Sequence, residues 1–215
     1  MPSFDLFSIG HSNVAAERFL ALLHIAGVNA IADVRSVPSS RFCPWFSRIN
    51  LEPRLAREGI AYQPYGITLG GRPGGESLYR DGSADYEAMA AQPEFRASLD
   101  RLIDAAAHAR VCLMCAEREP LDCHRCLMVS RSLAQCGLAV GHILHDGATE
   151  PHAAAEDRLL AWVSTLEGQS DGQGDGCDLF ATGQHERLAA AYRRRARAVA
   201  FRKKKPAVRG AAKNR

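Results

Sequence analysis

The cysteines are concentrated in one short part of the chain. The segment CAEREPLDCHRC covers residues 115–126 and Cys112 precedes it, so the sequence reads CxxC, seven residues, CxxC. Thiolates bind zinc, attack electrophiles and exchange with disulfides. The spacing therefore raises three hypotheses: a four-cysteine zinc site, a dithiol redox pair and a reactive pocket.

The zinc hypothesis requires all four thiols to face one ion. Cys112 and Cys115 lie on a predicted strand, where residues three positions apart point to opposite faces of the sheet. This predicted orientation opposes a shared ion, although the spacing of the four cysteines suits zinc.

The redox hypothesis rests on Cys123 and Cys126, which open a predicted helix with Asp122 as its N-cap, as in thioredoxin-like proteins. In those proteins the dithiol follows the first long strand, whereas Cys123 follows the fourth predicted strand. Cys126 and Cys136 also share one apolar helical stripe. We therefore predict that Cys126, Cys136 and Cys112 are core residues.

Apolar runs and helical periodicities alternate along the chain. They predict strands at residues 4–9, 29–35, 60–66, 109–117 and 138–147, and helices at residues 14–27, 50–59, 85–109, 122–137 and 150–166. Asn50 is the predicted N-cap of the second helix, and Pro93 breaks the third. Alternation on this scale predicts a three-layer α/β fold, with a mostly parallel sheet flanked by helices.

The charge is divided unevenly along the chain. The net charge is +3, but the segment from Arg187 to Arg215 holds twelve Lys or Arg residues and no Asp or Glu. We predict an α/β core domain at residues 1–166, a Gly-rich linker at 167–183 and a basic helical or disordered tail at 184–215. The tail is either a solvated segment or a nucleic-acid contact through residues 187–215.

Composition limits the protein class. An ordinary share of apolar residues, no leader-like N-terminus and no long apolar run predict a cytoplasmic protein without membrane segments. Seven cysteines, an odd number, do not suggest a disulfide framework, so we expect reduced thiols.

Polar residues follow almost every predicted strand, and the carboxyl ends of parallel strands are where open α/β sheets bind ligands. These residues are His11, Ser12 and Asn13; Asp33 and Arg35; Tyr65, Gly70 and Gly71; Cys115, Glu117 and Arg118; and His145 and Asp146. Together they predict one pocket, whereas each alone could be a turn or capping residue.

Five motifs carry a family resemblance: SIGHSN, IADVRSVPSSR, GIAYQPYGITLGG, CAEREPLDCHR and HILHDG. In this order and spacing, over about residues 5–150, they resemble the bacterial and archaeal family called domain of unknown function 488. The family pattern maps onto Gly10, His11, Ser12, Asp33, Arg35, Pro38, Arg41, Leu69, Gly70, Gly71, Cys115, Glu117, Cys123, His124 and Arg125. It excludes Cys112 and Cys126, which weakens the zinc and dithiol hypotheses. The resemblance implies a fold and a pocket, but no reaction.

These observations favour an enzyme acting on a small anionic or nucleotide-like ligand, because guanidinium groups suit phosphate and carboxylate. Cys115 or Cys123 is the expected nucleophile, with His11 or Glu117 as general acid or base. The expected substrate-binding residues are Ser12, Asp33, Arg35, Arg41, Gly70, Gly71, His124 and Arg125. No cofactor and no metal ligand is assigned. The alternatives are a nucleic-acid binding module, a thiol redox protein, and a metal site built from pocket His, Asp, Glu and Cys residues.

Overall fold

A six-stranded sheet forms the centre of the computed structural model, which describes residues 3–167 and 183–203. The strands are β1 (Leu6–Gly10), β2 (Ala30–Asp33), β3 (Ala61–Pro64), the hairpin strands β4 (Tyr79–Arg80) and β5 (Ser83–Ala84), β6 (Val111–Cys115), β7 (Val140–Ile143) and β8 (Thr149–Pro151). The sheet order is β3-β2-β6-β1-β7-β8, with β4 and β5 in a separate pair. All pairs in the large sheet are parallel except β7 with β8, which confirms the predicted mostly parallel sheet.

Helices cover both faces of this sheet. They are α1 (Ala16–Ile25), α2 (Arg48–Arg57), α3 (Gly66–Leu69), α4 (Tyr86–Ala90), α5 (Pro93–Ala106), α6 (Arg131–Gln135), α7 (His152–Glu167) and α8 (Gln184–Val199), with 3-10 turns at Pro44–Phe46, Glu76–Leu78 and Pro120–Asp122 and a π-helix at Arg125–Ser130. The prediction of Asn50 as an N-cap is wrong. The helix begins at Arg48, and the Asn50 side chain donates to the Pro44 carbonyl instead, at 2.8 Å.

The sheet separates two apolar clusters. Phe7, Ile9 and Phe19 belong to one cluster, and Leu6, Leu113 and Leu127 belong to the other. Because successive side chains of a strand alternate, Cys112 lies in the first cluster and Cys115 in the second. The predicted opposite orientation of these two cysteines is confirmed.

The helix predicted to start at Asp122 differs from expectation at both ends. A 3-10 turn and the π-helix replace its first half, and α6 ends at Gln135. Cys136 therefore lies beyond the helix, before a turn at Gly137 with φ of 88°, and it is exposed. The core prediction for Cys136 is wrong, whereas Cys112 and Cys126 are buried as predicted.

The basic helix α8 packs against the domain. Ala191 and Tyr192 are buried, and the chain then pairs with the β4–β5 hairpin, where the Ala84 amide donates to the Phe201 carbonyl at 2.9 Å. The predicted linker lies outside the described residues except for its first and last positions, as do residues 204–215. No helix in the described ranges has both the length and the apolarity needed to cross a membrane.

Candidate functional site

The loops that follow β1, β2 and β6 meet at one edge of the sheet, because these strands are neighbours and parallel. They surround a cavity of about 430 Å³. Seven of the site residues expected from the sequence line it: His11, Arg35, Gly71, Cys115, Glu117, Cys123 and His124. Residues scattered along the chain are thus brought together at one rim.

Two thiols and a carboxylate form the floor of the cavity. Cys115 Sγ and Cys123 Sγ each lie 3.0 Å from Glu117 Oε2. A thiolate and a carboxylate at this distance repel each other strongly, so the three acidic groups require either shared protons or a cation between them. His124 Nδ1 completes the group, at 3.9 Å from Cys115 Sγ and 3.8 Å from Cys123 Sγ.

The backbone around Cys123 explains how its sulfur is positioned. Cys123 is extended, and its carbonyl accepts hydrogen bonds from the amides of Cys126 and Leu127, both at 3.0 Å. Its sulfur accepts from the Arg125 amide at 3.4 Å, as the side chain of a capping residue does. The prediction of Asp122 as N-cap is therefore wrong, and the Asp122 carboxylate forms an ion pair with Arg195 instead.

The His124 ring is held in one orientation. Its Nε2 donates to the Val34 carbonyl at 2.9 Å, which leaves Nδ1 facing the two sulfurs. Gly71 lies against the ring, and a Cβ atom on Gly71 would stand 2.8 Å from Nδ1. A glycine is therefore required next to this imidazole.

The two thiols differ in acidity. Burial raises the pKa of Cys115, and the neighbouring Cys123 and Glu117 raise it further. Burial also opposes ionisation of Cys123, but the Cys115 thiol, Arg125 and His124 outweigh it and lower the pKa of Cys123 well below its ordinary value. Cys123 is thus the more acidic thiol of the pair.

His11 supports Arg35 rather than presenting a free lone pair to the cavity. Arg35 donates to His11 Nε2 at 3.1 Å, and His11 Nδ1 donates to the Ser12 carbonyl at 2.8 Å. Burial lowers the pKa of His11 to about 4, so the ring is neutral near pH 7. Arg35 also forms a buried ion pair with Asp33 at 2.6 Å, and the Asp33 carboxylate accepts from the Tyr62 hydroxyl at 2.6 Å.

The comparisons with known proteins concern this same region. A family model described as Domain of unknown function DUF488 matches residues 15–131. The chain belongs to the DUF488 family. The matched range contains three of the five motifs and excludes SIGHSN and HILHDG. No curated protein and no solved structure matches the chain.

In this DUF488 chain, Arg125 organises the loop after β6. Its guanidinium donates to the Glu117 carbonyl at 2.5 Å and to the Arg118 carbonyl at 3.0 Å. A Cβ atom on Gly10 would stand 1.7 Å from the same Glu117 carbonyl, so β1 also needs a glycine there. Arg125 thus fixes the backbone beside Glu117 through its two terminal nitrogens, whereas its buried Nε has no hydrogen-bond partner among the described residues.

Five residues expected at the DUF488 site do not line the cavity: Ser12, Asp33, Arg41, Gly70 and Arg125. Asp33 is paired with Arg35, and Arg125 with backbone carbonyls. Ser12 has a φ of 48°, and its hydroxyl donates to the Asn13 side chain. Arg41 is exposed. Gly70 packs against Ser36, where a Cβ atom would stand 2.4 Å from the hydroxyl oxygen.

Sequence reasoning missed several residues of the cavity wall. Tyr86 comes from the start of α4, Arg72 from the loop LGGRPGGES at residues 69–77, and Val199 and Phe201 from the end of α8 and the chain after it. The glycines flanking Arg72 were the only signal that pointed to any of them, because the other three reach the site through long-range packing.

Proposed function

We propose that this DUF488 protein is an enzyme that acts on an anionic, nucleotide- or phosphate-like substrate with the help of a divalent metal ion. Cys115, Cys123 and His124 hold the ion at the floor of the cavity, next to Glu117. The observation that carries this proposal is the convergence of four donor atoms, one from each of these residues, within 4.8 Å of one another.

The donor set suits zinc. Thiolate sulfur, imidazole nitrogen and carboxylate oxygen are the ligands that zinc takes in proteins, and two cysteines with one histidine are found in catalytic sites. The partners behind the ligands support this function as well: the Val34 carbonyl orients His124, and the Arg125 amide donates to the Cys123 sulfur.

Glu117 is the residue that would transfer protons in such a metal site. A bound zinc ion would supply an activated water molecule for hydrolysis. Glu117 lines the cavity and follows the ligand Cys115 by two positions, so its carboxylate can carry a proton to or from a reacting group. Before an ion binds, burial and the charge of Cys123 raise the pKa of Glu117, which favours the protonated carboxyl there. Zinc-dependent deaminases likewise place a proton-transferring glutamate two positions after a zinc ligand.

The rim supports an anionic substrate. The Arg35 guanidinium is already bonded to Asp33 and to the Phe46 carbonyl. Arg72 is therefore the main residue available to bind the anionic group of the substrate directly. Arg72 is exposed at the cavity edge with its guanidinium over the Phe201 ring, 5.0 Å from the centroid. Hydroxyls of Ser36, Ser39 and Ser40 also line the cavity and can donate to anionic oxygens.

Metal analysis of untagged protein tests the metal site. We expect Cys123→Ser to lose about one equivalent of zinc relative to the wild type, while the exposed-thiol control Cys136→Ser keeps it and Glu117→Gln keeps most of it. Equal zinc content in the wild type and Cys123→Ser would refute the metal proposal.

Ligand titration tests the substrate class. Inorganic phosphate and nucleoside monophosphates, titrated by calorimetry, should bind the wild type more tightly than Arg72→Gln. If neither inorganic phosphate nor any of the nucleoside monophosphates binds to the zinc-loaded wild type, the proposal of an anionic substrate is refuted.

A second candidate function is a cysteine-dependent enzyme without metal. The lowered pKa of Cys123 favours it, because a thiolate is the reactive form of cysteine. Iodoacetamide labelling with and without a chelator separates the two functions. Fast labelling of Cys123 in both conditions supports the metal-free nucleophile, whereas labelling that accelerates only with chelator supports the metal centre.

The nucleic-acid partner stays a prediction. Several basic side chains near the C-terminus pair within the molecule: Arg193 with Glu87 at 3.4 Å, Arg195 with Asp122, and Lys203 with Glu76. These pairs reduce the positive charge that α8 can offer to phosphates, so nucleic-acid contact depends more on residues 204–215.

A further inference from the structure

A second group of metal-binding side chains lies beside the first without sharing a residue with it. Cys126 comes from the π-helix, His142 from β7, and His152 from the first position of α7. Cys126 and His142 are fully buried, and His152 is 4 % exposed. Three polar side chains from distant segments have thus been brought together in the interior.

Their donor atoms form a compact triangle. His142 Nε2 and His152 Nδ1 are 2.9 Å apart, and Cys126 Sγ lies 3.7 Å from the first and 3.9 Å from the second. The point equidistant from these three atoms lies about 2.1 Å from each, close to the zinc–nitrogen and zinc–sulfur bond lengths of about 2.0–2.3 Å.

We propose that Cys126, His142 and His152 form a second metal site, which binds zinc or a similar thiophilic first-row ion in a structural role. The site is independent of the metal proposed in the cavity, since the two donor sets have no residue in common.

The remote nitrogens of both rings support this assignment. His142 Nδ1 lies 2.6 Å from the Ser8 hydroxyl, and His152 Nε2 lies 3.0 Å from the Tyr192 hydroxyl, which donates to Glu156 at 2.8 Å. Histidine ligands of metals usually donate their second N–H to such an acceptor, which fixes the ring and its tautomer. Both rings therefore have the orientation of ligands, with the other nitrogen facing Cys126.

Without a metal, the same atoms form a hydrogen-bonded chain in which one proton lies between the two imidazoles. In that state Cys126 Sγ has only long contacts with nitrogen. A metal ion would replace the shared proton and give the sulfur a strong partner.

The site would also stabilise the docking of α8. Tyr192 is the α8 residue that orients His152, and the end of α8 and the chain after it supply Val199 and Phe201 to the cavity wall. An ion at this position would link β7, the π-helix and α7 directly, and α8 through Tyr192.

The test compares variants of two equally buried cysteines. Untagged protein is dialysed with zinc, freed of excess metal and analysed for bound zinc, with cobalt titration as a second readout through its thiolate absorption. We expect Cys126→Ser to lose about one equivalent, while Cys112→Ser, which belongs to neither donor group, loses none. The double variant Cys115→Ser/Cys123→Ser should keep the zinc that Cys126→Ser loses, so the two proposed sites can fail separately.

Two further variants keep the test decisive if Cys126→Ser folds poorly. His152→Gln should lose the same equivalent, and Tyr192→Phe should weaken zinc binding about 10- to 100-fold, because the hydroxyl orients the His152 ring. Equal zinc content and affinity in the wild type, Cys126→Ser and His152→Gln would overturn the proposal and leave the metal-free hydrogen-bonded chain as the correct description.

Discussion

Replacing Gly71 with alanine is the sharpest test of the cavity geometry. A Cβ atom at this position would stand 2.8 Å from His124 Nδ1 and 2.9 Å from Cγ of the same ring. The ring cannot easily move, because it is buried and its Nε2 donates to the Val34 carbonyl. The added methyl group must therefore push either the loop or the imidazole out of place.

The expected cost follows from crowding a packed site. Inserting a methyl group where no space exists typically destabilises a protein by about 1–3 kcal/mol. For a chain of this size, about 2 kcal/mol lowers the Tm by roughly 4–8 °C. Displacement of Nδ1 should also weaken zinc binding about 10- to 100-fold, as other changes around metal ligands do.

Gly74 is the matched control, because it lies in the same loop and its Cβ position has no neighbour within 4 Å. We expect Gly74→Ala to leave stability unchanged or to raise it by up to about 1 kcal/mol, since alanine restricts the unfolded chain. Urea denaturation and zinc titration of both variants give the comparison. If Gly71→Ala behaves like Gly74→Ala in both assays, the close packing of this loop on His124 is refuted.

Three further predictions concern charge. Asp33→Asn should lower the free energy of unfolding by about 3–5 kcal/mol in urea denaturation, because it leaves buried Arg35 without its partner. The control Glu52→Gln, which breaks an exposed ion pair with Arg48, should lower it by less than about 0.5 kcal/mol. Similar losses in the two variants would contradict the argument that burial makes the Asp33–Arg35 pair important. The pKa of His11 is about 4 in the folded protein and 6.5 in the free side chain. Between these two pH values the unfolded state binds more protons than the folded state. The free energy of unfolding therefore falls by about 1.4 kcal/mol for each unit by which the pH decreases. His11→Gln, measured with chelator present, should lose this slope, and a parallel pH dependence in both proteins would count against a neutral buried His11. Deleting residues 204–215 should lower oligonucleotide affinity and flatten its salt dependence if the tail contacts nucleic acid, and an intact protein that binds no oligonucleotide at low salt would exclude that partner.

The sheet and its binding edge could be predicted from the sequence because both depend on local patterns. Apolar runs mark the parallel strands, and polar residues directly after them, such as Asp33 and Cys115, must lie at one rim once the strands are parallel. The opposite orientation of Cys112 and Cys115 follows from strand alternation alone.

The other features of the fold and the site depend on contacts between distant segments, which leave no pattern in the local sequence. The two-residue strands of the β4–β5 hairpin are too short to give a periodic signal, and α8 returns to the site after a segment of unrelated composition. Asp122 looked like a helix cap, but an ion pair with Arg195, far along the chain, uses its carboxylate. His142 and His152 were not linked with Cys126, because the antiparallel pairing of β7 with β8 and the packing of the π-helix, not sequence proximity, bring the three together.

The wide turn at Arg125–Ser130 has a consequence for how this family can diverge. The hydrogen bonds of a π-helix span one residue more than those of an α-helix, and deleting one residue from it restores α-helical geometry. Such a deletion would rotate the residues before it by about 100° about the helix axis, while Leu133 and the rest of α6 could keep their packing. Cys123 and His124 would then swing away from Glu117 in a chain that still folds. The loss of a single codon would therefore separate a chain that keeps the proposed metal ligands together from one that keeps only the scaffold.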